Sequence, residues 1–78
     1  MMGVKRPYAP VYATMNGVVA AIHCKTGDRV EVGEPVVTLE AMKLYLEMEA
    51  EMAGEVEIVV AMNDAVSEGQ LLAKIYPN

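Results

Sequence analysis

The chain has 78 residues, of which 54% are hydrophobic and 5% aromatic, and its formal net charge is −5. This length makes one small domain, and the acidic balance argues against a nucleic-acid partner because such binding rests on clustered lysine and arginine. No apolar run reaches the roughly 18 residues needed to cross a bilayer, and the single cysteine fits a reducing compartment, so we expect a cytoplasmic protein without membrane insertion.

In chain order, the sequence predicts an extension followed by short strands. Residues 1–10 contain Pro7 and Pro10 and are predicted to be an N-terminal extension or the end of a linker, and residues 11–76 are predicted to form the domain. Runs rich in Val, Ile and Leu, separated by turn residues, predict strands at 18–24, 35–40, 56–61 and 71–76, with shorter ones at 29–30 and 65–66.

The segment EAMKLYLEMEAEMAGEV, at residues 40–56, carries two conflicting patterns. Its Glu, Ala, Met, Leu and Lys residues have high helix propensity, and its apolar residues fall near helical spacing. However, LEMEAE at residues 46–51 alternates apolar and acidic residues, as a strand with one apolar and one charged face does. Local pattern alone therefore leaves a helix and a strand open.

An internal repeat favours the strand. GDRVEVGEPVVTL at residues 27–39 aligns with NDAVSEGQLLAKI at residues 63–75, an offset of 36 (63 − 27). Upstream of a one-residue gap the offset becomes 37 (52 − 15), which aligns MNGVV at residues 15–19 with MAGEV at residues 52–56. The same offset places residues 44–50 on PYAPVYA, whose two prolines make a continuous helix unfavourable. The chain is therefore predicted to be all-β, a sandwich or flattened barrel of two similar halves related by a pseudo-two-fold axis.

The connection between the strands ending at Glu40 and beginning at Leu44 is Ala41, Met42 and Lys43. Its length is that of a tight hairpin, and such a turn projects its side chains into solvent. The repeat relates this turn to the end of the chain, so we expect both termini at the opposite pole of the sandwich.

Four stretches of this sequence together resemble a known module. They are EAMK at the predicted turn, MNGVV upstream, GDRVEVGEPVVTLEAMK, and AGEVEIVVAMNDAVSEGQLLAKI. From Met15 to Ile75 the chain is similar to the biotinyl domain, the biotin carboxyl carrier module of biotin-dependent carboxylases, decarboxylases and transcarboxylases. The resemblance implies a barrel-sandwich hybrid, a flattened β-barrel of two four-stranded antiparallel sheets.

The resemblance also implies the site residues and the cofactor. Lys43 is the lysine whose amine is joined to biotin in an amide, Ala41 and Met42 precede it in the attachment motif, and Glu40 and Leu44 flank them.

The sequence departs from the family pattern in a few places. Leu44 stands where family members usually have Met, and Thr14 and Asn16 stand where proline is common. No inserted loop separates Gly17 from Gly27, as expected for the carrier type that lacks a protruding thumb.

The chemistry needs partners, because a free lysine amine is mostly protonated near neutral pH and nothing in this sequence offers a base to activate it. The resemblance implies a separate biotin protein ligase that acylates Lys43. It further implies that the carrier catalyses nothing itself and shuttles a carboxyl group between the biotin carboxylase and the carboxyltransferase or decarboxylase centres.

Two other functions remain as alternatives. A lipoyl carrier of a 2-oxoacid dehydrogenase or of the glycine cleavage system shares the fold but usually shows Asp-Lys-Ala at the turn, so Met42 favours biotin. An unmodified barrel-sandwich interaction module has no need of a lysine at its tip.

The remaining polar candidates favour structural roles. Glu47, Glu49 and Glu51 form the charged face of a strand, which keeps an edge soluble; a docking role for the ligase or a carboxylase is the lesser alternative. The adjacent His23 and Cys24 point to opposite faces if both lie in a strand, so they do not predict a catalytic dyad. No metal-ligand spacing is present.

Overall fold

The computed structural model describes residues 6–77, and all of the regular structure in this range is β-strand. The strands are β1 (Ala9–Tyr12), β2 (Gly17–Ile22), β3 (Arg29–Val30), β4 (Pro35–Ala41), β5 (Leu44–Glu49), β6 (Gly54–Ile58), β7 (Ala65–Val66) and β8 (Leu71–Tyr76). No helix in this part of the chain is long and apolar enough to cross a membrane. The strand prediction for residues 44–50 is confirmed by β5, although this segment has the highest helix propensity in the chain.

The strands form two four-stranded antiparallel sheets, which confirms the predicted flattened barrel-sandwich. Sheet A has the order β1-β8-β6-β3, and sheet B has the order β5-β4-β2-β7. Each strand of one sheet corresponds in position and sequence to a strand of the other, so that β1 matches β5, β8 matches β4, β6 matches β2 and β3 matches β7. The two copies of the sequence repeat are therefore related by a pseudo-two-fold axis of the fold.

The same turns recur in both halves. The Asp28 carboxylate accepts a hydrogen bond from the backbone N–H of Lys25 at 2.9 Å, and 36 residues later Asp64 accepts one from Ala61 at 2.9 Å. The left-handed position of this turn is Gly27 in the first half, with φ +99°, and Asn63 in the second, with φ +71°. Glycine and asparagine adopt this conformation most readily, which explains the residue types at the repeat boundary.

The change of offset from 37 to 36 corresponds to a β-bulge in β2. The pairing of β2 with β4 shifts between Val19 and Ala21, which leaves Ala20 as the extra residue. The matching pair, β6 with β8, keeps its register throughout. A bulge adds one residue to one strand without changing the partner, so the two halves keep the same topology.

Aliphatic side chains of both sheets fill the core. Val19 and Leu39 from sheet B and Leu72 and Ile75 from sheet A are each fully buried. Burial of one such side chain stabilises a fold by about 1.5–3 kcal/mol, which is substantial for a domain of this size. Met48 on β5 and Ala50 just beyond it are buried while Glu47 and Glu49 are exposed, as the alternation predicts.

Some predicted strand bounds were wrong. β2 ends at Ile22, so His23 and Cys24 lie beyond it, and β6 covers Gly54–Ile58 rather than residues 56–61. The N–H of Val59 still donates to the carbonyl of Leu72 on β8, in the same sheet, at 3.0 Å, and the chain beyond it leads to β7 in the other sheet. An apolar run does not reveal at which residue the chain changes sheet.

The start of the described chain packs on β8. The Arg6 guanidinium lies 4.3 Å from the centre of the Tyr76 ring, and the rings of Tyr8 and Tyr76 meet edge to face at 6.0 Å. Residues 1–5 of the predicted N-terminal extension lie outside the described residues, and the division into 1–10 and 11–76 stays a prediction.

Candidate functional site

The candidate site is the hairpin between β4 and β5. Ala41 pairs with Leu44, so the loop contains only Met42 and Lys43, one residue fewer than the sequence predicts. Both loop residues are left-handed, with φ values of +50° and +68°. Positive φ at both central residues defines a type I′ turn, whose twist matches that of the strands it joins. Lys43 therefore occupies the second position of a two-residue turn.

The turn takes this shape without the residues that favour it. Type I′ turns strongly prefer Asn-Gly, and a left-handed residue with a side chain costs about 1–2 kcal/mol. The cost is offset by the β4–β5 pairing, which continues for six residue pairs down to Pro35 and Glu49. The pairing holds the backbone of Met42 and Lys43 on a rigid support, whereas a free loop of the same sequence would lose this conformation.

The tip is accessible to a partner. The Met42 side chain is 95% exposed and that of Leu44 is 59% exposed, and both Lys43 and Glu40 are exposed. Within residues 6–77 the Lys43 amine makes no hydrogen bond or ion pair. The amine is thus free to enter another protein, and no neighbouring base of the described chain prepares it for reaction.

The base of the hairpin is held by a close approach of β2. A Cβ atom placed on Gly17 would lie 2.7 Å from the Glu40 carbonyl oxygen and 3.5 Å from the Ala41 Cβ. Ala41 is half-buried at this contact. Gly17 is a site residue that the sequence prediction missed, although its recurrence as Gly54 in the repeat marks a position where two backbones pack closely.

The acidic residues of β5 lie beside an open cleft and not at the tip. Glu47 and Glu49 line this cleft of about 770 Å³, together with Glu51 beyond the strand and Pro10 and Tyr12 of β1. The cleft runs between the edge strands of the two sheets. The acids are exposed, as expected for a charged edge that discourages pairing with another chain.

His23 and Cys24 do not form a reactive pair. The His23 Nε2 lies 2.6 Å from the Thr38 hydroxyl, which gives this buried threonine its partner. Cys24 is half-buried against the core, and burial raises the pKa of its thiol, with smaller contributions from the carboxylates of Asp28 and Glu34. A raised pKa disfavours the reactive thiolate.

Comparison with known proteins identifies the family of the chain. The family model described as "Biotin-requiring enzyme" matches residues 4–75. The chain is 41% identical over 59 residues to the biotin carboxyl carrier protein of acetyl-CoA carboxylase from Nostoc, covering 74% of this chain and 32% of that protein. It is 40% identical over 62 residues to the mitochondrial propionyl-CoA carboxylase alpha chain of the mouse, covering 78% of this chain and 9% of that one. The chain thus spans about a third or less of these relatives.

Solved structures share the fold. Urea carboxylase from Kluyveromyces lactis superposes with a TM-score of 0.85 at 29% identity, covering 95% of this chain and 7% of that one. The lipoyl domain of the 2-oxoglutarate dehydrogenase complex from Azotobacter vinelandii superposes with a TM-score of 0.66 at 36% identity, covering 90% and 92%. The carboxylase is the better structural match.

Proposed function

The chain belongs to the biotin-requiring enzyme family as a biotinyl domain, and from this we propose that Lys43 carries biotin in an amide linkage and that the domain serves as a carboxyl carrier. One observation carries the proposal. The only lysine at the hairpin tip stands on an exposed type I′ turn, held by a paired and closely packed base.

The described residues fit the role of an attachment site. Acylation removes the positive charge of the amine and lengthens the side chain, and neither change disturbs a contact, because the Lys43 amine has no hydrogen bond or ion pair within residues 6–77. The sheet pairing below the turn keeps the attachment point in one place, so a tethered group gains a high effective concentration at each centre that the domain visits. Biotin, when bound, would accept a carboxyl group at one centre and surrender it at another.

The chain's own residues provide attachment and presentation, so the domain is proposed to be non-catalytic. A biotin protein ligase would supply activated biotin and the base that takes the proton from the Lys43 amine. Met42, Leu44, Glu40 and Ala41 flank the amine and would contact that ligase first. Biotin carboxylase and carboxyltransferase, as separate subunits or as domains of a longer chain, are the proposed later partners.

Intact-mass measurement tests the proposal. Incubation with biotin, ATP and a purified biotin protein ligase is expected to add one biotinyl group to the chain and none to a Lys43→Arg variant. Lys25→Arg is the matched control, since Lys25 is also exposed but lies in the turn before β3, and it should be labelled normally. Labelling of the Lys43→Arg variant would contradict the site. Modification by a lipoate ligase in place of the biotin ligase would favour the lipoyl carrier.

A further inference from the structure

The repeat relates the hairpin to a place where no turn joins the strands. The offset of 37 (43 − 6) places Arg6 on Lys43 and Tyr8 on Tyr45. The strands β1 and β8 therefore correspond to the two arms of the hairpin, β5 and β4, but they are the first and last strands of the chain. A covalent turn holds β4 and β5 together, whereas the matching end of β1 and β8 depends on non-covalent contacts.

Four side chains form a continuous series of contacts at this end. The Arg6 guanidinium lies 4.3 Å from the centre of the Tyr76 ring, and this ring meets the Tyr8 ring edge to face at 6.0 Å. The Lys74 amine lies 5.0 Å from the centre of the Tyr8 ring. Cation–aromatic and edge-to-face contacts are both attractive, and each one here joins a residue before β1 to a residue of β8. We call Arg6, Tyr8, Lys74 and Tyr76 the latch.

The central ring of the latch is held by the neighbouring strand. The Tyr76 hydroxyl donates a hydrogen bond of 2.9 Å to the Glu57 carboxylate on β6, which pairs with β8. A tyrosine whose hydroxyl is bound in this way keeps its ring in one direction. The hydrogen bond therefore positions the Tyr76 ring for its contacts with both Arg6 and Tyr8.

The hairpin, where the strands are joined, has no such series. Tyr45 is 66% exposed, whereas its counterpart Tyr8 is 42% exposed. The register partner of Tyr45 is Glu40 rather than a second tyrosine, and no cation–aromatic contact found in residues 6–77 involves Tyr45. The latch residues are therefore specific to the end that lacks a turn and do not follow from the repeated fold.

We propose that the latch does the work of the missing turn, holding residues 6–8 on β8, and that its opening releases these residues while the sheet stays folded. The pairing of β1 with β8 begins at Ala9 and Ile75, so the packing of residues 6–8 rests on the latch. Three released residues add about 10 Å to the chain that precedes the domain. This would extend the reach of the Lys43 hairpin, a consequence that rests on the proposed function as a tethered carrier.

Amide hydrogen exchange measures the latch directly. Arg6→Gln removes one cation, and an exposed cation–aromatic contact corresponds to about a two- to fivefold change in a local opening equilibrium. Exchange at the start of β1 should accelerate by this factor, and by more in Tyr8→Ser, which loses two contacts. The matched control Lys43→Gln removes the corresponding charge at the joined end and should leave exchange in both β5 and β1 unchanged. Exchange in β6 should stay the same in every variant.

A double-mutant cycle shows whether the contact itself is responsible. Arg6→Gln should have no further effect in a Tyr76→Leu background, because the ring that it contacts is gone. If Tyr76→Leu does not fold, Lys74→Gln in a Tyr8→Ser background decides in the same way. Unchanged exchange in β1, equal effects in both backgrounds, or an equal acceleration in β6 overturns the latch. The chain is measured without biotin, so failure of Lys43 labelling would overturn the proposed function and leave the latch standing.

Discussion

Gly17→Ala tests whether the close packing of β2 supports the hairpin. The new Cβ would lie 2.7 Å from the Glu40 carbonyl oxygen, and this atom belongs to the paired backbone of β4, which is two residues from the turn. Backbone moves less easily than the end of a flexible side chain, so β4 must shift away from β2. The displaced residues lead directly into Met42 and Lys43.

The magnitude follows from two opposing effects. Overpacking costs about 1–3 kcal/mol, and the reduced freedom of the unfolded chain with alanine offsets about 0.4–1 kcal/mol of that cost. The expected net loss in the free energy of unfolding is about 1–2 kcal/mol, which for a domain of this size lowers Tm by about 5–15 °C. Gly54→Ala should cost at least as much, because its Cβ would contact the Tyr76 carbonyl oxygen even more closely.

Thermal unfolding followed by circular dichroism, together with biotinylation kinetics well below Tm, separates the two glycines. Both variants should lose stability, but only Gly17→Ala should also lower kcat/KM with the ligase, since Gly54 packs against the end of β8 and not against the hairpin. A Tm of Gly17→Ala within about 2 °C of the unsubstituted chain would refute the packing argument. Equal kinetic effects of the two substitutions would refute the link to the site.

Two further predictions concern the turns and the end of β8. Asn63→Ala should cost about 1 kcal/mol in urea unfolding, because alanine adopts the φ of +71° poorly, while Asn63→Gly should be neutral, as Gly27 is at the matching position. The hydrogen bond from Tyr76 to Glu57, 2.9 Å long, is the largest cause that raises the pKa of the Tyr76 phenol, so Glu57→Gln should lower that pKa in an ultraviolet titration against a Tyr76→Phe control. The pKa of the Tyr76 phenol is higher in the folded protein than its unfolded value of about 10, so the stability that the hydrogen bond to Glu57 contributes is complete below about pH 10 and is lost as the pH rises through the folded pKa. The loss of stability in alkali should therefore be shallower in Glu57→Gln, and an unchanged pH profile of stability would contradict this.

The sequence predicted a strand at residues 44–50 against its own helix propensity, and β5 covers Leu44–Glu49. The repeat related this segment to one that contains Pro7 and Pro10, and the alternation of apolar and acidic residues agreed with a strand. Propensity differences are small for each residue, so they yield to burial of Met48 and to pairing with β4. The bounds of β2 and β6 were less predictable, because apolar residues such as Cys24 and Val59 continue past the last residue of each strand.

The flanks of the proposed site stay a prediction from the sequence, and the contact that supports the hairpin was not predicted. Glu40, Ala41, Met42 and Leu44 follow from the motif around the turn, whereas the contact of Gly17 with β4 joins residues far apart in the chain.

The amino-acid sequence by itself determined the doubled all-β architecture and the place of Lys43 between two strands, because repeats, prolines and alternation are local or periodic signals. Only the tertiary structure decided that the connection has two residues and that both are left-handed. The physical reason is that the register and twist of β4 against β5 set the turn, and these depend on sheet packing from across the whole chain rather than on the preferences of methionine and lysine.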